Sequence, residues 1–266
     1  MQLQSFQYLG QPIERRNADG LGLTLTRYPK HQRQPWHVHE NPNLFVLLRG
    51  DFMDRSRALG DQTLGRLGTV FHPAGELHAG EAGPQGRSGL NIEPTASWLV
   101  RYGLRMEDLG HYRVIDSPVI GLAALKLALS IGDDTVAGDL AFEMVLPLLI
   151  PVSIPEESAK WFSRLREYVA ETDPGDCNLR SAAREVSVHP VYLARVFRRR
   201  YGCSLGEYIL FRRLVAAGER VLHHGSSLAE AAVEAGFSDQ AHLTRLFRRE
   251  LGRTPRSLLK LRAAVA

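Results

Sequence analysis

The carboxy-terminal part of this chain contains one stretch twice. Leu179, Ala182, Ala183 and Val186 recur as Leu228, Ala231, Ala232 and Ala235 at an offset of 49. Farther on, Leu193, Arg195, Phe197, Arg198, Arg199 and Gly202 recur as Leu243, Arg245, Phe247, Arg248, Arg249 and Gly252 at an offset of 50. Both copies must fold into the same supersecondary unit, and the extra residue must fall in a turn. In each copy a capping residue, Asn178 or Ser227, opens a short helix whose Ala-Ala pair permits close approach of a second helix. Ser187-Val188 or Gly236-Phe237 then makes the turn, where glycine supplies the freedom a sharp reversal needs. The second helix starts at His189-Pro190, with proline in its favoured first position, or at Ser238-Asp239, where either residue can cap. Leu193, Val196 and Phe197, like Leu243, Leu246 and Phe247, form its buried stripe. The spacing predicts two helix-turn-helix units, at about 178–199 and 227–249.

Charge is divided unevenly along the chain. Residues 1–155 carry 14 Lys and Arg against 16 Asp and Glu, whereas residues 156–266 carry 19 against 13. Arg198-Arg199-Arg200, Arg212-Arg213 and Arg248-Arg249 make the basic part a candidate polyanion surface. Solvated helix faces would give the same composition, so spacing has to decide. The second helix of such a unit enters the major groove with its early residues at the base edges. A long helix from about Leu205 to Leu222 would join the two units and present both recognition helices to one face of a duplex. A single chain would then read an asymmetric site of about two helical turns, successive major grooves lying about 34 Å apart. Double-stranded DNA is the expected partner.

Residues from about 160 to 262 resemble the DNA-binding domain of the AraC/XylS family of transcription regulators. The resemblance is strongest along Gly236-Phe237-Ser238-Asp239-Gln240-Ala241-His242-Leu243-Thr244-Arg245-Leu246-Phe247-Arg248-Arg249, followed by Gly252, Thr254 and Pro255. Three places depart from the family pattern: Ser187 stands where the first turn usually has glycine, Ala231 replaces a branched aliphatic, and Leu258-Leu259 replaces an aromatic-arginine pair. The resemblance assigns base readout to Val191, Ala194 and Arg195 in the first unit and to Gln240, Ala241, Thr244 and Arg245 in the second. Arginine pairs bidentately with guanine, glutamine with adenine, and small apolar groups meet the thymine methyl. Arg198, Arg199, Arg248 and Arg249, one turn on, are expected at phosphates. With fewer polar readers, the first unit is expected to lean more on apolar contacts and DNA shape.

The amino-terminal region reads as β-structure. Leu21, Leu23 and Leu25 alternate with Gly22 and Thr24, Leu44 to Leu48 is a short apolar run, and glycine or proline punctuates almost every segment. Short strands with frequent turns predict a sandwich or barrel. His37 and His39, two apart on a strand, point to one face, and a turn at Pro73 and Gly75 could deliver His78 beside them. Three imidazoles suit a divalent transition metal such as zinc, nickel, copper or iron. The HxH and PxGxxH elements resemble the two motifs of the cupin superfamily, small β-barrels that often bind metal and serve as sensor domains. The glutamate that usually follows the HxH is missing, since Asn43 and Leu44 hold those positions. Pocket-lining or hydrogen-bonded core histidines would leave the same pattern. Either way the barrel interior is the expected site of a small effector, with Trp36, Phe45, Phe52 and Phe71 as candidate walls.

The fold class is therefore α+β: a cupin-like barrel over 1–95, a helical segment over 96–155, and an all-α DNA-binding domain over 156–266. Leu122, Leu125 and Leu129, then Leu140, Met144 and Leu148, fall at helical spacing and serve either core packing or a homodimer. Pro151 and Pro155 bar a continuous helix and mark the domain boundary. Trp161, Leu165, Tyr168 and Val169 are expected to form the buried face of a further helix that stops at Asp173-Pro174-Gly175. The longest apolar stretch, Leu140 to Ile154, is broken by Glu143, Pro147 and Pro151 and is too short to span a bilayer. No signal sequence opens the chain, and Cys177 and Cys203 fit a reducing compartment, so a cytoplasmic location without membrane attachment is expected. A metal-dependent cupin enzyme is the competing reading. It explains the histidines but leaves the duplicated basic units without a role, so catalysis is not expected.

Overall fold

The computed structural model describes residues 1–65, 67–115, 117–131, 141, 156–172 and 177–266. Leu140, Met144 and Leu148, the Pro151–Pro155 boundary and the stop at Asp173-Pro174-Gly175 lie outside the described residues. Nine strands form one sheet: β1 (Gln2–Leu3), β2 (Gln11–Ala18), β3 (Leu21–Tyr28), β4 (Arg33–His39), β5 (Asn43–Ser56), β6 (Gly60–Leu64), β7 (Thr69–His72), β8 (His78–Pro94) and β9 (Arg113–Ile115). β5 and β8 pair along both their halves, from Leu44 opposite Ile92 to Ser56 opposite His78. One half of this long pair carries β3 and β7, the other β4 and β6. Two layers thus share two continuous strands, rather than being assembled from the short strands the glycines suggested. The crossing point falls at Gly50, where the register shifts on both sides. Its φ is +83°, and a β-carbon there would sit 2.0 Å from the Gly86 carbonyl oxygen, so only glycine fits.

The alternation in β3 has an unexpected sense. Leu21, Leu23 and Leu25 join Leu44, Val46, Leu48, Phe71, Leu90 and Ile92 in a core that faces helices outside the sheet. Thr24 and Thr26, on the other face, are equally buried, and Thr26 accepts a hydrogen bond from Asn91 at 2.9 Å. Both faces of this strand are covered, the outer one by hydrocarbon and the inner one by a polar lumen. Phe45 and Phe52 line that lumen, as expected. Phe71 and Trp36 do not: Phe71 sits one residue before the inward His72 and so faces the outer core, and Trp36 is 45% exposed. A register shift between Gln34 and His37 leaves Trp36 outward while the side chains of Gln34 and His37 line the lumen.

After the barrel, α1 (Ala96–Arg101) and a short 3-10 turn lead back to β9, which pairs with β7, so the segment after residue 95 still contributes to the sheet. In α2 (Pro118–Leu129), Leu122 and Leu125 are buried and Leu129 packs against the same core; these leucines serve the core of their own chain. Farther on, the described residues form α3 (Glu156–Glu171), α4 (Leu179–Glu185), α5 (Pro190–Tyr201), α6 (Leu205–Glu219), α7 (Leu228–Glu234), α8 (Gln240–Leu251) and α9 (Arg256–Val265). In α3, Leu165 and Val169 are buried, with Trp161 and Tyr168 packed at the edge of their cluster. The joining helix α6 closes in a turn of π-helix, Arg220–His224, capped by Gly225. Its first half, through Leu205, Tyr208 and Ile209, belongs to a core with α3, α4 and α5. Its second half, through Leu214 and Ala217, belongs to the core shared by α2, α7, α8, α9 and the outer face of the sheet. Polar contacts tie this second group to the barrel: Ser88 donates to the Val265 carbonyl at 2.8 Å, Arg27 to that of Ala264 at 3.0 Å, and the Gly50 amide to His223 Nδ1 at 3.2 Å.

Candidate functional site

The duplicated units correspond element for element. α4 and α7 each have seven residues, α5 and α8 twelve. The first pair keeps the offset of 49 and the second 50, and the additional residue, Ser238, lies in the turn. Asn178 and Ser227 both form capping boxes, with Ser181 and Glu230 as reciprocal partners. Of the two candidate caps for α8, Asp239 takes the role, accepting from the His242 amide at 2.6 Å. That bond holds its carboxyl below the usual range, with nearby Arg245 adding to the shift. In α5 the His189 ring itself caps, accepting from Val191 N–H at 3.3 Å, and Pro190 follows as the first helical residue.

Leu193 and Phe197, like Leu243 and Phe247, are fully enclosed, which turns the expected readers outward. Arg195, Gln240, Ala241 and Arg245 are exposed, and Ala194 and Thr244 are half-buried at the same place in the two helices. Thr244 spends its hydroxyl proton on the Gln240 carbonyl at 2.7 Å, leaving an acceptor outward. Val191 is 70% exposed and Tyr192 38%, so the leading turn of α5 shows water an apolar surface. Tyr192 was not among the sequence candidates; Arg195 lies over its ring at 5.7 Å. Arg198 pairs with Glu207 at 3.8 Å and Arg249 with Glu250 at 2.6 Å, whereas Arg199 and Arg248 form no ion pair among the described residues. Exposed pairs of this kind contribute only about 0–1 kcal/mol, so a phosphate competes with them readily.

The barrel gathers a second group. His37 on β4 lies opposite His78 at the start of β8, and the amide of Gly75, at φ +75°, donates to the His39 carbonyl at 2.9 Å, fixing the turn that delivers His78. One ligand nitrogen from each of the three rings falls within 4.8 Å of the others, and all three residues are buried. His37 Nδ1 lies 2.8 Å from the Pro35 carbonyl and His78 Nδ1 3.0 Å from that of Glu76. A carbonyl only accepts, so Nδ1 carries the proton in both rings and Nε2 keeps a lone pair. Burial lowers the pKa of His37 and His78, and that of His39 to about 3, with the neighbouring imidazoles adding to the shift. His39 Nδ1 has no hydrogen-bond partner among the described residues. Neutral rings with oriented lone pairs and an orphaned nitrogen are the donor set a transition metal requires.

His72 was missed by sequence reasoning. Its ring stacks on His78 at 3.7 Å, and its Nε2 lies 3.0 Å from Asp54 Oδ2, which also accepts from the Tyr112 hydroxyl at 2.8 Å. Desolvation and Asp54 together push the Tyr112 hydroxyl well above the usual phenol range. The one available signal was His72 standing beside Pro73. Both cysteines are buried and free, and no helix of the described residues is long and apolar enough to cross a membrane.

Residues 182–261 match the family described as a helix-turn-helix domain. The regulatory protein SoxS of Salmonella typhimurium is 33% identical over 91 residues, which make up 34% of this chain and 85% of SoxS. The HTH-type transcriptional regulator ExsA of Pseudomonas aeruginosa is 30% identical over 115 residues, 43% of this chain; the chain spans less than half, 41%, of ExsA. The solved structure of ToxT from Vibrio cholerae aligns over 94% of this chain and 99% of its own, at 10% identity and a TM-score of 0.39.

Proposed function

The chain belongs to the AraC/XylS family of transcription regulators, and from that premise we propose that it is a sequence-specific DNA-binding regulator controlled by a small effector or metal in its barrel. The observation that carries the reading is the pair of twelve-residue helices, α5 and α8, with Leu193 and Phe197 enclosed like Leu243 and Phe247, and Val191 and Arg195 exposed like Ala241 and Arg245. A packed protein surface would not need two copies of a basic, outward stripe, whereas two successive major grooves do. Arg195, Gln240 and Arg245 read base edges, Val191, Ala194, Ala241 and Thr244 meet methyl groups and groove shape, and Arg198, Arg199, Arg248 and Arg249 hold phosphates. Selection of bound duplexes from a random pool by the full chain tests this. An enriched asymmetric site of about two helical turns supports it, and retention of all sequences alike overturns it.

His37, His39 and His78 would hold a divalent transition metal, and their neutral, oriented rings support that assignment. When bound, the metal supplies a Lewis-acidic attachment point in the lumen. The chain's own contribution is to fix tautomers through the Pro35 and Glu76 carbonyls and to exclude water. Effector occupancy must change DNA affinity by a differential free energy, typically about 1–3 kcal/mol. The core running from β3 and β8 through α2 into α8 and α9 offers the route. Metal analysis of the purified chain beside a His39→Ala variant, with a turnover assay, separates sensor from enzyme. Stoichiometric metal lost with His39 and no turnover supports the sensor; steady product formation overturns it.

A further inference from the structure

The lumen that holds the three histidines also contains a cation that forms no ion pair among the described residues. Arg87, on β8, is 5% exposed. Its guanidinium lies 3.9 Å from the ring centre of Tyr28, 4.5 Å from that of Phe45 and 3.4 Å from that of Phe52. Nη2 donates to Gln34 Oε1, and Nη1 finds no acceptor among the described residues. No carboxylate among the described residues forms an ion pair with it. Asp54, whose field reaches it, lines the same cavity; its Oδ2 is engaged by His72 and Tyr112, and its Oδ1 is buried without a hydrogen-bond partner among the described residues. Burial lowers the Arg87 pKa to about 10, so the group stays charged at neutral pH.

Aromatic faces offset part of the desolvation of a guanidinium, yet they do not accept its in-plane N–H bonds in the way an oxygen pair does. A buried charge ordinarily has an ion-pair partner, and here the described residues give Arg87 a neutral amide as its hydrogen-bond acceptor and only the longer-range field of Asp54. Arg87 and the histidines line one cavity whose free volume is about 20 Å³. A single water needs roughly 10–15 Å³, so the occupant is small. We propose that the lumen receives a small carboxylate anion, of formate or acetate size, with its oxygens on the guanidinium of Arg87. This deepens the sensor reading above, rests on it, and names the chemical class of the effector.

Thermal unfolding of the full chain is followed in formate, acetate, chloride and acetamide at matched ionic strength. Formate and acetate are expected to raise the midpoint in a saturable way, while chloride and the uncharged amide do not. Arg87→Met should weaken the half-saturating concentration by at least about tenfold, the loss expected when a charged hydrogen bond is removed. Since removal of Arg87 disturbs three aromatic contacts, Gln34→Glu is the second variant: it places a carboxylate against the guanidinium, keeps the fold, and should abolish the response to added anion. Stabilisation by formate and acetate no greater than by chloride overturns the proposal, as does a Gln34→Glu response equal to wild type. DNA affinity is measured with and without acetate in parallel. Anion binding that leaves DNA affinity unchanged removes the sensor reading and keeps the site; unaltered DNA recognition with no anion binding removes the site alone.

Discussion

Phe197 and Phe247 hold the same place in two helices of equal length, and each is fully enclosed, yet they lie in different cores. Around Phe197 the core is closed by α3, α4 and the first half of α6. Around Phe247 it continues through α2 and α9 to the outer leucines of β3, β5 and β8. The first reading head is therefore supported mainly by its own helices, with Val119 of α2 at the edge of its core, and the second is packed into the sensor domain. Any event in the barrel reaches α8 through the core it shares with α2 and α9, but reaches α5 along α6 and the Val119 edge of α2. A second contrast lies in the turns. Gly236 has φ +80°, and Ser187, at the same place, has φ +55°. Both turns close with the same pair of bonds, Ser187 to Arg184 and Val188 to Ala183 in one, Gly236 to Val233 and Phe237 to Ala232 in the other. The first unit thus adopts a left-handed residue without the glycine that makes it cheap.

The division of cores is tested most severely by the paired truncations Phe197→Ala and Phe247→Ala, each expected to cost about 3–5 kcal/mol. Hydrogen exchange should show Phe247→Ala loosening β3 and β8 together with α8, and Phe197→Ala loosening only α3 to α5. Equal loss of protection in the barrel from both would break the comparison. On DNA, Arg245→Ala should cost about 1–3 kcal/mol on the preferred site and relax its specificity, whereas Arg248→Ala should weaken all sequences alike and flatten the salt dependence. Binding titrations at several salt concentrations separate the two, and identical salt slopes would refute this division of labour.

Between about pH 6.5 and the carboxylate range, where the capping Glu207 of α6 begins to lose its own contribution, acid should act mainly on the half of the molecule that holds the barrel. His39 ionises near pH 3 when folded and near 6.5 when unfolded, so between these values the unfolded chain holds the extra proton. Stability is complete above about pH 6.5 and falls as pH drops toward 3, by at most about 1.4 kcal/mol per pH unit for each such histidine. His37 and His78 shift in the same direction. Circular dichroism with exchange readout should show the barrel and second unit loosening together while the first unit persists. The smallest effect expected is from Ser187→Gly, which relieves the left-handed strain and should add about 0.5–1 kcal/mol in urea unfolding. Gly236→Ser should do the reverse, and no difference between the two would mean that the turns are not strained unequally.

Features with a short repeat were legible in the chain. The offset of 49 becoming 50 located the turn that accommodates Ser238, and the His37-Val38-His39 alternation put two imidazoles on one face. Features made by meeting strands were not. Arg87 is one arginine among many in a list, and only the pairing of β8 with β3, β4 and β5 encloses it with Tyr28, Phe45 and Phe52. His72, Asp54 and Tyr112 come from three separate elements and meet only because β7 runs between β5 and β9. Phe71 was misplaced for a related reason: a hydrophobic residue suits either face of a sheet covered on both sides.

By itself the sequence determined the two helix-turn-helix units, their caps, the outward basic stripe and the paired imidazoles, because local hydrogen bonds and a fixed periodicity decide these within a few residues. Tertiary structure alone decided which unit shares a core with the barrel, which face of the sheet is dry, and which buried charge forms no ion pair among the described residues. Those outcomes depend on surfaces buried between segments far apart in the chain, where the burial of apolar area has no preferred direction and the geometry of the whole sheet selects the contacts.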